Sequence, residues 1–285
     1  MPTTDSPLRY PGGKTQLTPF VSDLLRVNDL TRGAYAEPFA GGAGVAWRLL
    51  FAGHVSEVWL NDIDVGIYSF WKTVLEQPDA LCDRIQAIPV DMTQWHEQRH
   101  VLRSSKDPLK LALATLFLNR TNRSGIIAGG VIGGKLQQGN YKIDCRFKKA
   151  ELIEKIQRIA GYREVVRVSN IDGRRCILDW AKRLPKRALI NIDPPYFCKG
   201  QELYTNFYHP DDHKALAQAI RRLKVPWMLT YDEAPEIERL YSGLPVYRKA
   251  LTYYAQVKRQ ASELLVLSAG LQVPGALSQQ LALAA

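Results

Sequence analysis

Ala34-Tyr-Ala-Glu-Pro-Phe-Ala-Gly-Gly-Ala-Gly44, followed by Val45-Ala-Trp-Arg-Leu-Leu-Phe51 and Val55-Ser-Glu-Val-Trp-Leu60, reads as strand, glycine turn, helix, strand. Asn61-Asp62-Ile-Asp64 stands at the carboxyl end of the second strand. This is half of a doubly wound α/β unit, in which ligands bind beyond the carboxyl ends of the strands. Strand-like segments return at Glu164–Ile171, Arg187–Ile192 and Val225–Tyr231. They close with a pair at Tyr247–Tyr254 and Ser262–Ser268, spaced as an antiparallel hairpin at a sheet edge. Tyr68 to Ile159 instead shows helical periodicity. The pattern predicts a mostly parallel, Rossmann-like sheet domain (residues 1–70 and 160–285) split by a mainly helical insert (residues 71–159). The tail, Gly270–Ala285, reads as a frayed helix.

The apolar run Ala188–Ile192 ends in Asp193-Pro-Pro-Tyr196. Prolines fix φ and carry no N–H, so they stiffen the backbone and leave carbonyls free to accept. Asp193 and the Pro194 carbonyl can each accept one proton of an NH2 group, while Pro195 keeps the turn rigid and Tyr196 stacks on the attached ring. Such a pocket suits transfer of a methyl group to an exocyclic amine. At Glu37–Gly44 a glycine turn lets backbone approach a ligand at a helix N-terminus, and Asp62, 20 residues after Gly42, suits ribose hydroxyls. Trp47 stands where the third glycine of a dinucleotide fingerprint falls. That disfavours a pyrophosphate cofactor but not an adenosine cofactor without phosphates. Asp172 ends another strand, so Asp62, Asp172 and Asp193 are expected to face one crevice; a helix cap is the alternative for Asp172.

The 285 residues carry a formal charge of +10. Between Arg120 and Ala150, seven basic residues face Asp144 alone, a footprint for phosphates. After the apolar helix Leu109–Leu118, Asn119-Arg-Thr-Asn-Arg-Ser-Gly125 and five further glycines predict a long, mobile loop or hairpin. Four scattered cysteines suggest a reducing compartment, and no segment has signal-peptide or membrane-spanning character. Two motifs are set aside. Gly13-Lys14-Thr15 lacks the earlier glycine of a phosphate loop, since position 8 is Leu8, and fits better as a turn presenting Tyr10 and Lys14 to a ligand. His96-Glu-Gln-Arg-His100 matches a zinc-hydrolase helix, but its polar surroundings and missing third ligand read as a solvent-facing helix without metal.

Taken in order, these motifs resemble the Dam-type DNA adenine N6-methyltransferases: Pro-Gly-Gly-Lys, Glu-Pro-Phe-x-Gly-Gly, Asn-Asp-Ile-Asp, a basic insert with Asn-Arg-x-x-x-x-Gly, Asp-Pro-Pro-Tyr, and a late strand Ser262-Glu-Leu-Leu-Val266. The resemblance runs from Leu8 to Leu267. It implies S-adenosylmethionine as cofactor, contacted by Tyr10 and Lys14, with Phe39, Gly41 and Gly42 lining the pocket. Asp62 is expected on the ribose, Asp172 near the cofactor's adenine, and Asp193 between the methionine moiety and the target amine. Asn119, Arg120, Asn122, Arg123, Lys135 and Arg146 are expected to contact double-stranded DNA, with Arg123 or Arg146 at guanine edges. The family carries an aromatic in this hairpin where this chain has Asn122-Arg123-Ser124. A cytoplasmic enzyme of a bacterial or phage-infected cell follows, with a restriction endonuclease as a partner in function only. The rival readings are an RNA adenine or cytosine-N4 methyltransferase of the same fold and a non-catalytic DNA-binding protein.

Overall fold

The computed structural model describes residues 4–9, 14–198, 207–254, 258–275 and 282–283. The chain divides into two compact units, residues 14–62 with 171–285 and residues 1–13 with 63–170.

The first unit is built on β1 (Ala34–Glu37), β2 (Glu57–Asn61), β4 (Ala188–Ile192), β5 (Trp227–Asp232), β6 (Val246–Tyr254), β7 (Lys258–Leu267) and β8 (Ala282–Leu283), in the order β2-β1-β4-β5-β7-β6-β8. β2, β1, β4 and β5 are parallel. β1 and β4 are buried at every position, which is why they read as continuous apolar runs. β7 runs antiparallel to β5 and pairs with β6 as the expected hairpin. The tail departs from expectation, because Ala282–Leu283 pairs as a short strand with β6. An edge strand has unpaired N–H and C=O groups, and pairing satisfies them where a frayed helix would not.

Helices α1 (Thr18–Val27), α2 (Gly44–Phe51) and α8 (Gly173–Arg183) belong to this unit. On α8, Cys176, Ile177 and Trp180 are buried at helical spacing, and Trp180 meets Trp59 edge-on at 5.8 Å between ring centroids. Strand order reverses between β1 and β4, so the crevice beyond their carboxyl ends is the topological switch point of the sheet.

The second unit holds α3 (Val65–Glu76), α4 (Pro78–Ala87), α5 (Met92–Ser104), α6 (Pro108–Thr121), α7 (Lys149–Ala160) and β3 (Val166–Ser169). Three of its helices start on acidic caps: Asp64, Asp91 and Asp107 accept backbone N–H from the first turn of α3, α5 and α6. From Leu111 to Thr121, α6 is buried on all sides, packed against α3 and α5. Among the described residues no helix is long and apolar enough to cross a membrane.

Candidate functional site

At the switch point, the turn after β4 is held from three directions. Lys14, in a tight turn that leads into α1, is buried and points its ammonium at three acceptors. Its Nζ lies 2.6 Å from the Tyr196 hydroxyl, 3.1 Å from Asp193 Oδ1 and 3.2 Å from Glu263 Oε2. The Tyr196 hydroxyl donates onward to Glu263 Oε1 at 2.7 Å. The Thr230 hydroxyl donates to Asp193 Oδ1, also at 2.7 Å. Asp232 accepts the Phe197 and Cys198 N–H groups, one on each oxygen, at 2.8 Å. Both bonds to Asp193 fall on Oδ1, and its side chain remains a quarter exposed.

Burying charge is tolerated only where partners compensate, and here one ammonium lies between two carboxylates. Burial, reinforced by the Asp193 charge and opposed by Lys14, pushes the Glu263 carboxyl up to about 7. Glu37, at the end of β1, is buried with no cation beside it among the described residues. Burial and the Asp193 charge raise its carboxyl to about 8. Tyr35 and Asn191 flank it, yet among the described residues neither the Tyr35 hydroxyl nor the Asn191 side-chain oxygen closes a well-directed hydrogen bond. Behind the turn, His213 Nδ1 lies 2.7 Å from the Tyr231 hydroxyl, and burial lowers its pKa, which favours neutral imidazole.

The glycine turn and the second acidic residue also meet. Gly41 N–H donates to Asp62 Oδ2 at 2.9 Å, so the turn is fastened to the end of β2. Buried Asn61 donates to the Pro38 and Ile171 carbonyls and accepts the Ile171 N–H, joining the β1 turn to the segment before Asp172. Asp172 caps α8 by accepting the Arg175 N–H. A Cβ on Gly173 would lie 2.4 Å from the Phe39 ring, so that ring seats only because residue 173 is glycine. Gly42 is buried in the turn, and Pro194 is buried while Pro195 is half-buried. Tyr10 lies outside the described residues. The Phe39 ring, the Gly41 backbone and the Asp62 carboxylate thus stand at the carboxyl ends of β1 and β2.

Sequence reading missed Thr230, Asp232, Glu37 and Glu263. Glu37 and Glu263 did carry a signal, since each is an acid embedded in an otherwise apolar strand run.

In the second unit, two residues expected at the DNA surface are spent on the loop itself. Asn119 is fully buried: it accepts the Arg9 N–H and donates to the Arg9 and Gly125 carbonyls. Asn122, also fully buried, donates to the Ile126 and Ile127 carbonyls and accepts from the Trp95 indole. These amides turn the backbone because asparagine offers donor and acceptor together. Gly125 sits at φ +78°, where a Cβ would come 2.4 Å from the Arg9 carbonyl oxygen. Arg120 is 8% exposed and donates to the Arg146 carbonyl; burial and then Arg9 lower its pKa to about 10.

Arg123 and Lys135 are exposed and Arg146 is half-buried. The glycine-rich stretch is braced rather than loose, since the Gln137 amide donates to the Ile132 and Gly134 carbonyls and its oxygen accepts the Ile143 N–H. His96 and His100 are exposed on α5, whereas Trp95 and Gln98 face inward. No cluster of three metal-ligating side chains occurs among the described residues.

Comparison with known proteins follows the same lines. Residues 10–257 match the family model described as D12 class N6 adenine-specific DNA methyltransferase. The chain is 23% identical over 281 residues to the DNA adenine methylase of Escherichia coli, covering 91% of this chain and 94% of that protein. It is 22% identical over 243 residues to the type II methyltransferase M.MjaIII of Methanocaldococcus jannaschii, covering 76% and 79%. Among solved structures, a SAM-dependent methyltransferase from Agrobacterium tumefaciens aligns with a TM-score of 0.41 at 13% identity, over 90% of this chain and 62% of that one. The chain belongs to the D12 class N6 adenine-specific DNA methyltransferases, enzymes that move a methyl group from S-adenosylmethionine to adenine in DNA.

Proposed function

We propose that Asp193, Pro194, Pro195 and Tyr196 receive an adenine flipped out of duplex DNA and aim its N6 at the methyl donor. The observation that carries this reading is the asymmetric hold on Asp193: Lys14 and Thr230 both bind Oδ1, so Oδ2 is left to accept from the amine. The Pro194 carbonyl takes the second N–H, and Tyr196 gives an aromatic wall to the pocket.

S-adenosylmethionine, when bound, supplies an activated sulfonium methyl. The rest falls to the chain. Adenine's N6 lone pair is delocalised into its ring, and two acceptors on its protons favour a more tetrahedral nitrogen with the lone pair free to attack. Methyl transfer to N6 would leave a neutral thioether and a cationic amine, beside which the Asp193 carboxylate carries its negative charge. The amine then releases a proton past Asp193 to solvent. Positioning and a preformed negative charge beside the developing cation provide most of the rate. Phe39, Gly41, Gly42 and Asp62 hold the cofactor, with Lys14 and Asp172 at its margins.

The unit of residues 63–170 supplies target recognition in this reading, with Arg123, Lys135 and Arg146 as the basic contacts. Exposed basic side chains along that segment suit the phosphate backbone, and flipping costs a few kcal/mol, offset by pocket contacts. Such an enzyme works in the cytoplasm of a bacterial or phage-infected cell, alone or beside a restriction endonuclease that reads the same site.

Transfer of labelled methyl to unmethylated duplex DNA, with digestion to nucleosides, tests the reading. Wild type should yield N6-methyladenine. Asp193→Ala should give none while it keeps its fold and much of its DNA affinity. Normal turnover by that variant would sink the assignment.

A further inference from the structure

Glu263 takes no direct part in the mechanism above, yet it is 3% exposed and bound to two of that mechanism's residues. We propose that Glu263 is a positioning residue for methyl transfer: it shares the Lys14 ammonium with Asp193 and anchors the Tyr196 hydroxyl, so that Asp193 keeps its full strength as an acceptor. This role rests on the function proposed above.

The argument is one of charge. With Glu263 ionised, the cluster of Asp193, Lys14 and Glu263 is net negative by one, which suits the positive charge that develops on N6. With Glu263 neutral, the cluster is net zero. Lys14 then turns wholly to Asp193 and competes with the incoming amine for its electron density. Tyr196 also loses its charged acceptor. Charge-assisted hydrogen bonds are about twice as strong as neutral ones, so the hold on the tyrosine ring weakens as well.

Lys14, Asp193 and Tyr196 face the Glu263 carboxyl directly. In register beside it stand Asp232 on β5, already bound to two backbone N–H groups, and Lys249 on β6. A group that changes charge near neutral pH in this place makes turnover pH-dependent. Activity is therefore present above about 7 and falls as pH drops through it.

Steady-state kinetics of wild type, Glu263→Gln and Glu263→Asp across pH 5.5–8.5 test the role. Glu263→Gln should lower kcat on the order of tenfold or more, with KM for DNA and affinity for S-adenosylmethionine changed by less than about twofold. It should also lose the acid limb near pH 7. Glu263→Asp, which restores the charge, should recover part of kcat and the limb. A Glu263→Gln enzyme with wild-type kcat, or with the limb intact, overturns the proposal. If Glu263→Gln does not fold, Tyr196→Phe decides, because it removes the hydroxyl that Glu263 anchors and a wild-type kcat in that variant is incompatible with the role. Absence of any transfer to DNA by wild type overturns the underlying function and this role with it, an outcome distinct from active enzymes that do not differ.

Discussion

Replacing Glu37 by glutamine should make the protein more stable in alkaline solution while changing little in acid. In the folded chain burial holds the Glu37 carboxyl protonated up to about 8, whereas in the unfolded chain it ionises at its ordinary 4.5. Between those values the folded state keeps a proton that the unfolded state has released, so stability falls as pH rises. The contribution is fully present below 4.5 and lost by about 8. Each pH unit across the window is worth ~1.36 kcal/mol, so the step from pH 5 to pH 8 removes on the order of 4 kcal/mol. Glutamine has the shape of the protonated acid and cannot ionise. Glu37→Gln should therefore match wild type at pH 5 and exceed it by roughly 3–4 kcal/mol at pH 8, a rise in Tm of roughly 5–15 °C. Glu263 adds a slope of the same sign up to about 7, but it does so in both proteins and cancels in the difference. Thermal unfolding of the cofactor-free proteins at four pH values suffices. Parallel stability curves, with a gap independent of pH, would show that the Glu37 carboxyl is not held protonated in the folded chain.

Two further expectations follow from packing and charge. Gly173→Ala must displace the Phe39 ring, so it should cost ~1–3 kcal/mol of stability and weaken S-adenosylmethionine binding; calorimetric titration and a melting curve read both. Exposed and buried polar residues of the insert should separate cleanly: Arg123→Ala lowers DNA affinity and reduces the slope of log K against log salt by ~0.9 per lost phosphate contact. Asn122→Ala leaves the Trp95 indole unpartnered and should instead lower stability by ~1–3 kcal/mol.

Much of the fold was legible because the parallel strands are buried on both faces and therefore read as apolar runs between turn signals. The run from Ala34 to Asn61 is one example, and Ala188–Ile192 with its rigid proline turn is another. The hairpin of β6 and β7 was visible in the spacing of its two halves. The short strand Ala282–Leu283 was not, because two residues carry no periodicity and their state is set by the edge they pair with. The insert misled in one respect. Asn119 and Asn122 are the residue type that contacts bases, but the same amide groups serve equally to close a loop, and only burial distinguishes the two uses.

The chemistry on offer was readable along the chain: a carboxylate before two prolines and a tyrosine, a glycine turn before a helix, an acid at the end of the next strand, and a basic insert. These signals are local, set by a few adjacent residues and the turn they impose. How the Asp193 carboxylate is held, by contrast, follows from tertiary contacts alone. Lys14, Thr230, Asp232 and Glu263 come from a turn and two strands far apart in the chain, and they meet around residues 193–198 because β5 and β7 pair beside β4. Contacts of that kind have no sequence period, since strand order and register bring the residues together and spacing along the chain does not record it.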